Sequence, residues 1–169
     1  MPMVEVGSLR KSYGRVKVLK GLDMTVEEGS TYGFLGRNGA GKSTSLRILM
    51  GITLPTSGSV RLFGQTIQGH HTRLRQRIGY VAQEQVFYNW MNAASIGRFV
   101  GGFFPSWDRS RYAELLELME LPTDRKIMTF SGGMKAKLAL SLALAHRPPL
   151  LVLDEPTAGL DPVARREFF

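Results

Sequence analysis

Apolar and polar side chains alternate with period two near the start of the chain. Val4-Glu5-Val6 shows it first, and Leu22-Asp23-Met24-Thr25-Val26 repeats it. Such alternation predicts strands with one covered face. Val16 to Leu19 reads as a further extended stretch, with turn residues at Ser12-Tyr13-Gly14 and Glu28-Gly29. Thr31 to Leu35 predicts a short strand running into a glycine-rich loop. The period then lengthens. Leu46, Leu49 and Met50 share one side of a predicted helix over Ser43 to Met50, with Gly51 at its end. Pro55-Thr56-Ser57-Gly58 predicts a turn, and Ser59–Phe63 and Ile78–Ala82 predict two more strands.

From Met91 to His146 the spacing is helical. Asp108 is placed to cap a helix carrying Tyr112, Leu115, Leu116 and Met119 on one face, and Pro122 follows its end. Ser131 is placed to cap a second helix that turns Leu138, Leu142 and Ala145 inward and runs to about His146, before Pro148-Pro149. Leu150-Leu151-Val152-Leu153 is continuously apolar, which predicts a strand covered on both faces. Asp161-Pro162 opens a last predicted helix toward Phe169. Strands and helices interleave, so the expected class is α/β.

Composition adds little to this picture. Apolar residues at 43% and charged residues at 21% are ordinary for a globular domain of 169 residues. With no cysteine, disulfides and thiolate metal sites are excluded. No basic stretch followed by an apolar core opens the chain, and the apolar stretch Leu138–Ala145 is far short of the ~20 residues a membrane span needs. The expected location is therefore cytoplasmic. The net charge of +8 suits phosphate-rich partners, but the basic residues are scattered rather than interleaved with aromatics, as a solvated face would be.

Candidate chemistry begins at Gly36-Arg37-Asn38-Gly39-Ala40-Gly41-Lys42-Ser43, a phosphate-loop pattern between a predicted strand and a predicted helix. A polyphosphate needs many donors at close range, and glycines let backbone N–H groups turn inward. The helix that follows adds the positive end of its dipole. Lys42 then reaches the β and γ phosphates and the Ser43 hydroxyl serves as a Mg²⁺ ligand. The second candidate is Asp154-Glu155, two carboxylates at the carboxyl end of a predicted strand, where open α/β sheets bind their ligands. Asp154 is the residue expected to orient Mg²⁺, and Glu155 the candidate general base for an attacking water.

Five segments in order resemble the nucleotide-binding domain of ATP-binding-cassette (ABC) ATPases. They are the phosphate loop, Gln83 at a strand end, Phe130-Ser131-Gly132-Gly133-Met134, Leu150 to Glu155, and Ala158-Gly159-Leu160-Asp161. These are similar to Walker A, the Q-loop glutamine, the signature motif, Walker B with its glutamate, and the D-loop. Tyr13 matches the aromatic that stacks on adenine. The resemblance implies a P-loop NTPase core with an N-terminal antiparallel β subdomain and a helical subdomain at about 89–145, all within one domain over 1–169. It implies ATP and Mg²⁺ as ligands. Tyr13, Gly36, Asn38, Gly39, Ala40, Gly41, Lys42, Ser43 and Thr44 would then hold ATP, and Ser43, Gln83 and Asp154 the metal.

In the family, Ser131, Gly132, Gly133 and Met134 would face ATP held by a second subunit, in a head-to-tail dimer with Asp161 in its D-loop. Met134 departs from the usual glutamine and lacks its amide hydrogen bonds. The family's switch histidine lies on a later strand, and none of His70, His71 and His146 follows Walker B, so the chain reads as C-terminally incomplete.

The segment between Gln83 and Ser131 is rich in aromatics: Phe87, Tyr88, Trp90, Phe99, Phe103, Phe104 and Trp107. Half or more of them are expected in the core, with the remainder as a docking surface. Phe103 to Asp108 and Lys135 to Leu140 resemble the ATPase subunits of small bacterial exporters. That implies a cytoplasmic subunit, peripheral on the inner face of the membrane, which hydrolyses ATP to drive transport through a separate transmembrane permease. No nucleic acid is expected. Two other readings remain: a soluble, non-transport ABC ATPase acting on the ribosome or nucleic acid, and a nucleotide-binding regulatory module without turnover.

Overall fold

A computed structural model of the protein describes residues 1–36, 39–67 and 71–156. The chain divides into two compact units, Met1–Arg75 and Gln76–Phe169. Mixed helices and strands with an antiparallel sheet make it α/β.

The first unit is built on a long hairpin. Strands β1 (Pro2–Tyr13) and β2 (Val16–Glu27) pair antiparallel around the turn at Gly14-Arg15. Strand β3 (Ser57–Leu62) pairs on the other side of β1 and β4 (Gln65–Thr66) beyond it, giving the order β2-β1-β3-β4. The register sets Val4 opposite both Val26 and Leu62, and Val6 opposite both Met24 and Val60. The period-two pattern therefore gathers Val4, Val6, Met24, Val60 and Leu62 on one buried face. Between Val6 and Leu9 the register shifts, with Ser8 at φ 44°. The Ser8 N–H donates instead to Asp23 Oδ1 at 2.7 Å, so the bulge leaves no orphan donor. Helix α1 (Lys42–Leu49) buries Ile48 and Leu49, Gly51 follows at φ 63°, and the short α2 (Thr72–Arg75) closes the unit.

Thr31–Leu35, expected as a strand, takes no strand conformation, and Leu35 is 91% exposed. The reason is pairing: among the described residues β1 to β4 pair with one another, and none of them hydrogen-bonds to this segment as a strand. An apolar run without a hydrogen-bonding neighbour is not a strand.

In the second unit, β5 (Ile78–Val81) and β6 (Leu150–Leu153) run parallel, and the helices α3 (Ala93–Gly101), α4 (Arg109–Leu118) and α5 (Gly132–Leu144) fill the sequence between them. Asp108 Oδ1 accepts from the Arg111 N–H at 2.8 Å, as its capping role requires. Tyr112, Leu115 and Leu116 of α4 pack with Ala93 and Ile96 of α3 and with Leu138 and Leu142 of α5. A second cluster joins Ala136, Leu140 and Ala143 of α5 to Val81 of β5. Helix α5 is thus covered on two sides, which explains its nearly uniform apolar sequence. Where α5 passes over β5 the strand carries Gly79. A Cβ there would lie 2.5 Å from the Ala143 carbonyl oxygen, so only glycine permits this approach.

Strand β6 departs from the expectation of full burial. Val152 is buried, while Leu151 and Leu153 are each 37% exposed. With β5 as its one paired neighbour among the described residues, β6 is an edge, and edges are covered less completely than central strands.

Candidate nucleotide site

In the first unit, the phosphate loop enters α1 through Gly41, which caps the helix at φ 90° and ψ 10° without a side-chain hydrogen bond. Two demands exclude a side chain here. The left-handed backbone disfavours any Cβ, and a Cβ would sit 2.5 Å from Leu19 Cδ2 and 3.2 Å from the Val18 carbonyl oxygen. The loop is therefore pressed directly against β2. Lys42 Nζ crosses back to donate to the Gly36 carbonyl at 2.6 Å, so the lysine spans the loop it belongs to.

Val18, Leu19, Phe34, Gly39, Ala40 and Lys42 line a cleft of about 480 Å³, with Lys17 and Lys20 at its wall. The first turn of α1 holds no acidic residue. Helix dipole and lysines thus present the same sign to the cleft, as an anionic ligand needs. Ser43 and Thr44 occupy the start of α1, both part-buried. Asn38, expected among the ATP-binding residues, lies with Arg37 outside the described residues. Tyr13, at the end of β1, is 49% exposed and so is no core aromatic.

In the second unit, the parallel strands β5 and β6 end side by side. The Asp154 N–H donates to the Val81 carbonyl at 2.9 Å and carries the pairing one residue past β6. Gln83 and Glu155 follow, and Gln83 Nε2 donates to Glu155 Oε2 at 3.3 Å. Seventy-two residues apart in sequence, these two predicted site residues meet because their strands are neighbours. Asp154 is buried, whereas the Glu155 and Gln83 side chains face solvent. Glu155 sits at φ 48°, in the left-handed region that non-glycine residues rarely occupy, and such strain gathers at functional positions.

Ser131 caps α5, its Oγ accepting from the Met134 N–H at 3.2 Å, with Gly132 and Gly133 forming the exposed to half-buried first turn. The Met134 side chain packs against the helical core of the unit. That contact explains how a thioether is tolerated at the position: the side chain fills apolar space instead of seeking a polar partner. Ala158-Gly159-Leu160-Asp161 and the helix expected after Asp161 lie outside the described residues, as does His70.

Of the seven aromatics, fewer are in the core than the sequence suggested. Phe87, Phe104 and Trp107 are half-buried, and Tyr88, Trp90, Phe99 and Phe103 are exposed. The exposed four form a continuous chain of ring contacts, with centroids 6.1 Å apart for Tyr88–Trp90, 5.7 Å for Tyr88–Phe99 and 5.4 Å for Phe99–Phe103. These four rings lie outside the buried cluster that α3, α4 and α5 share, and they pack on one another instead.

Sequence reasoning passed over Lys11. It stands two residues before Tyr13 on β1, a spacing that puts both on one face, and its Nζ lies 4.9 Å from the centroid of the tyrosine ring. The spacing was the available signal.

Residues 19–158 match the family model described as ABC transporter. The chain belongs to the ABC transporter family. A Nod factor export ATP-binding protein I of Ralstonia nicotianae is 42% identical over 97% of this chain and 53% of its own length. A bacitracin transport ATP-binding protein of Bacillus licheniformis is 37% identical over 98% of this chain and 55% of its own. The chain spans about half the length of these curated relatives. Among solved structures, a dimeric ATP-binding cassette in a post-hydrolysis state, bound to ADP and Pi, superposes with a TM-score of 0.85 at 27% identity, over 98% of this chain and 79% of that one. The ABC family thus accounts for both units, the sheet-and-loop one and the helical one. No helix among the described residues is long and apolar enough to cross a membrane.

Proposed function

We propose that this chain belongs to the nucleotide-binding subunit of an ABC exporter, which hydrolyses ATP to drive transport. The observation that carries the reading is the meeting of Gln83 with Glu155 beside buried Asp154, at the carboxyl ends of two parallel strands. Relatives named for Nod factor export and bacitracin transport support the transport role, and the first of them its outward direction.

Each unit brings its own chemistry. The phosphate loop binds the polyphosphate through backbone N–H groups, and Lys42 exchanges the Gly36 carbonyl for phosphate oxygens. Tyr13 offers a flat face for adenine. In the other unit Glu155 takes the proton of the attacking water, and Gln83 sets the direction of its carboxylate. The donors suit a hard cation: Ser43 offers a hydroxyl, Gln83 an amide oxygen and Asp154 a carboxylate, all of them oxygens. When bound with ATP, Mg²⁺ neutralises charge on the β and γ phosphates. Ser131, Gly132 and Gly133 present a helix start to ATP held by a second subunit, in a head-to-tail dimer, as dimeric cassettes of the family suggest. The exposed rings of Tyr88, Trp90, Phe99 and Phe103 are the docking surface for a transmembrane permease. The subunit is then cytoplasmic and peripheral to the membrane.

Phosphate release by the full-length protein tests the reading. Glu155→Gln is expected to retain Mg·ATP binding while turnover falls by about 10²–10⁴, the usual share of a general base. Turnover at the unsubstituted rate would remove Glu155 from that role.

A further inference from the structure

Tyr13 ends β1 at the edge of a hairpin turn, where an exposed ring has little packing to fix its χ angles. Two contacts converge on its neighbour Lys11. The Lys11 ammonium lies over the Tyr13 ring, 4.9 Å from the centroid, and the same Nζ donates to the Leu54 carbonyl at 2.7 Å. A cation held at two points is a fixed support rather than a wandering side chain.

Leu54 is itself tied to the phosphate-loop helix. The N–H groups of Ile52 and Thr53 both donate to the Arg47 carbonyl in the last turn of α1, at 2.9 and 3.3 Å. Two residues past Leu54, the Thr56 N–H donates to the Arg10 carbonyl at 2.8 Å and Thr56 Oγ1 accepts from the Ser12 N–H at 3.0 Å. Residues 52–56 therefore strap the far end of α1 to the strand end that bears Tyr13, with Lys11 as the side chain joining strap to ring.

We propose that Lys11 is a positioning residue for the nucleotide: it backs one face of Tyr13 so that the other is presented to adenine at a distance set by the phosphate-loop helix. The inference rests on Tyr13 as the adenine platform. Lys11 acts through the ring and not on phosphate, so its effect depends on the base. An exposed ammonium–ring contact corresponds to a two- to fivefold change in affinity.

The experiment uses the full-length protein and measures dissociation constants for ATP and for inorganic tripolyphosphate. Lys11→Met is expected to weaken ATP two- to fivefold and leave tripolyphosphate unchanged, and Lys11→Arg to restore ATP binding. Added to Tyr13→Ala, Lys11→Met is expected to weaken ATP no further. Equal weakening of ATP and tripolyphosphate by Lys11→Met would overturn the proposal, because the lysine would then act as a general positive charge. So would unchanged ATP affinity in Lys11→Met while Tyr13→Ala weakens it. If Tyr13→Ala leaves ATP affinity intact, the adenine platform itself is wrong and the positioning role falls with it.

Discussion

Helices α1 and α5 both begin in glycine-rich turns, yet their first turns are finished differently. Helix α1 starts from a left-handed glycine with no side-chain cap, its loop lying flat on β2. Helix α5 starts from a serine in extended conformation whose own hydroxyl takes a first-turn N–H. The first start depends on its surroundings for shape and on a ligand for charge. The second is locally complete. Sequence separates them by the Ser131 cap, which is local; what it does not show is that the α1 start lies directly on Leu19 and Val18.

The sharpest way to break the contrast is Gly41→Ala. A left-handed alanine and a 2.5 Å approach to Leu19 together should cost about 2–4 kcal/mol, read as a lowered melting midpoint with loss of ATP binding. A variant that melts and binds as before would mean that the loop start is as self-sufficient as that of α5. Next comes Lys42→Ala. Losing a charge-assisted contact should weaken ATP by about 1.5–3 kcal/mol, ten- to a hundredfold, with the melting midpoint nearly unchanged, measurable by calorimetric titration. Ser131→Ala should cost about 1 kcal/mol of stability through the lost cap, whatever the nucleotide. If it also abolishes ATP-dependent dimerisation, Ser131 serves the partner's nucleotide as well as its own helix.

The smallest expected effect lies at the other end of α5. His146 is 3% exposed and stacks on Phe104 with centroids 4.2 Å apart. Neither ring nitrogen makes a hydrogen bond of good geometry. Burial holds its pKa below the usual value, opposed more weakly by the nearby carbonyls of Ile78 and Leu142. The unfolded chain therefore binds this proton more readily than the folded one. Stability should rise with pH from the folded-state pKa up to about 6.5 and level off above it, with a slope below about 1.4 kcal/mol per pH unit. A pH series of melts on the protein and on His146→Phe isolates that slope, which the substitution should remove.

How much was legible follows the same physical line. Asp108 and Ser131 were readable as caps because capping is local side-chain chemistry. The capping box that starts α3 came only with the structure: Asn92 Oδ1 accepts from the Ser95 N–H while Ser95 Oγ accepts from the Asn92 N–H. Alternation marked Val4–Val6 and Leu22–Val26 as strands, while their pairing register, with its shifts, came from the fold. Thr31–Leu35 and the exposed leucines of β6 were misjudged because strand formation and burial are decided by neighbours that an apolar run does not name. At the candidate site, Asp154, Glu155 and Gln83 were identifiable by type and order. The Gln83–Glu155 contact and the lysine behind Tyr13 needed the fold.

Gly79 has a consequence that reaches well beyond its own contact. The Ala143 carbonyl that rests on it lies one residue from the end of α5, and Ser131 stands at the opposite end. A 13-residue helix is about 20 Å long and is packed along its length, from Ala136 to Ala143, so a shift at one end is carried along the rigid rod. A methyl group added at position 79 would have to push back the Ala143 carbonyl, Leu151 and Pro148, by on the order of 1 Å at the carbonyl, and the helix would pass part of that shift toward Ser131. Misplacement on that scale can cost about a hundredfold in a positioned reaction. An atom absent from a strand thereby bears on where the Ser131 end of α5 points.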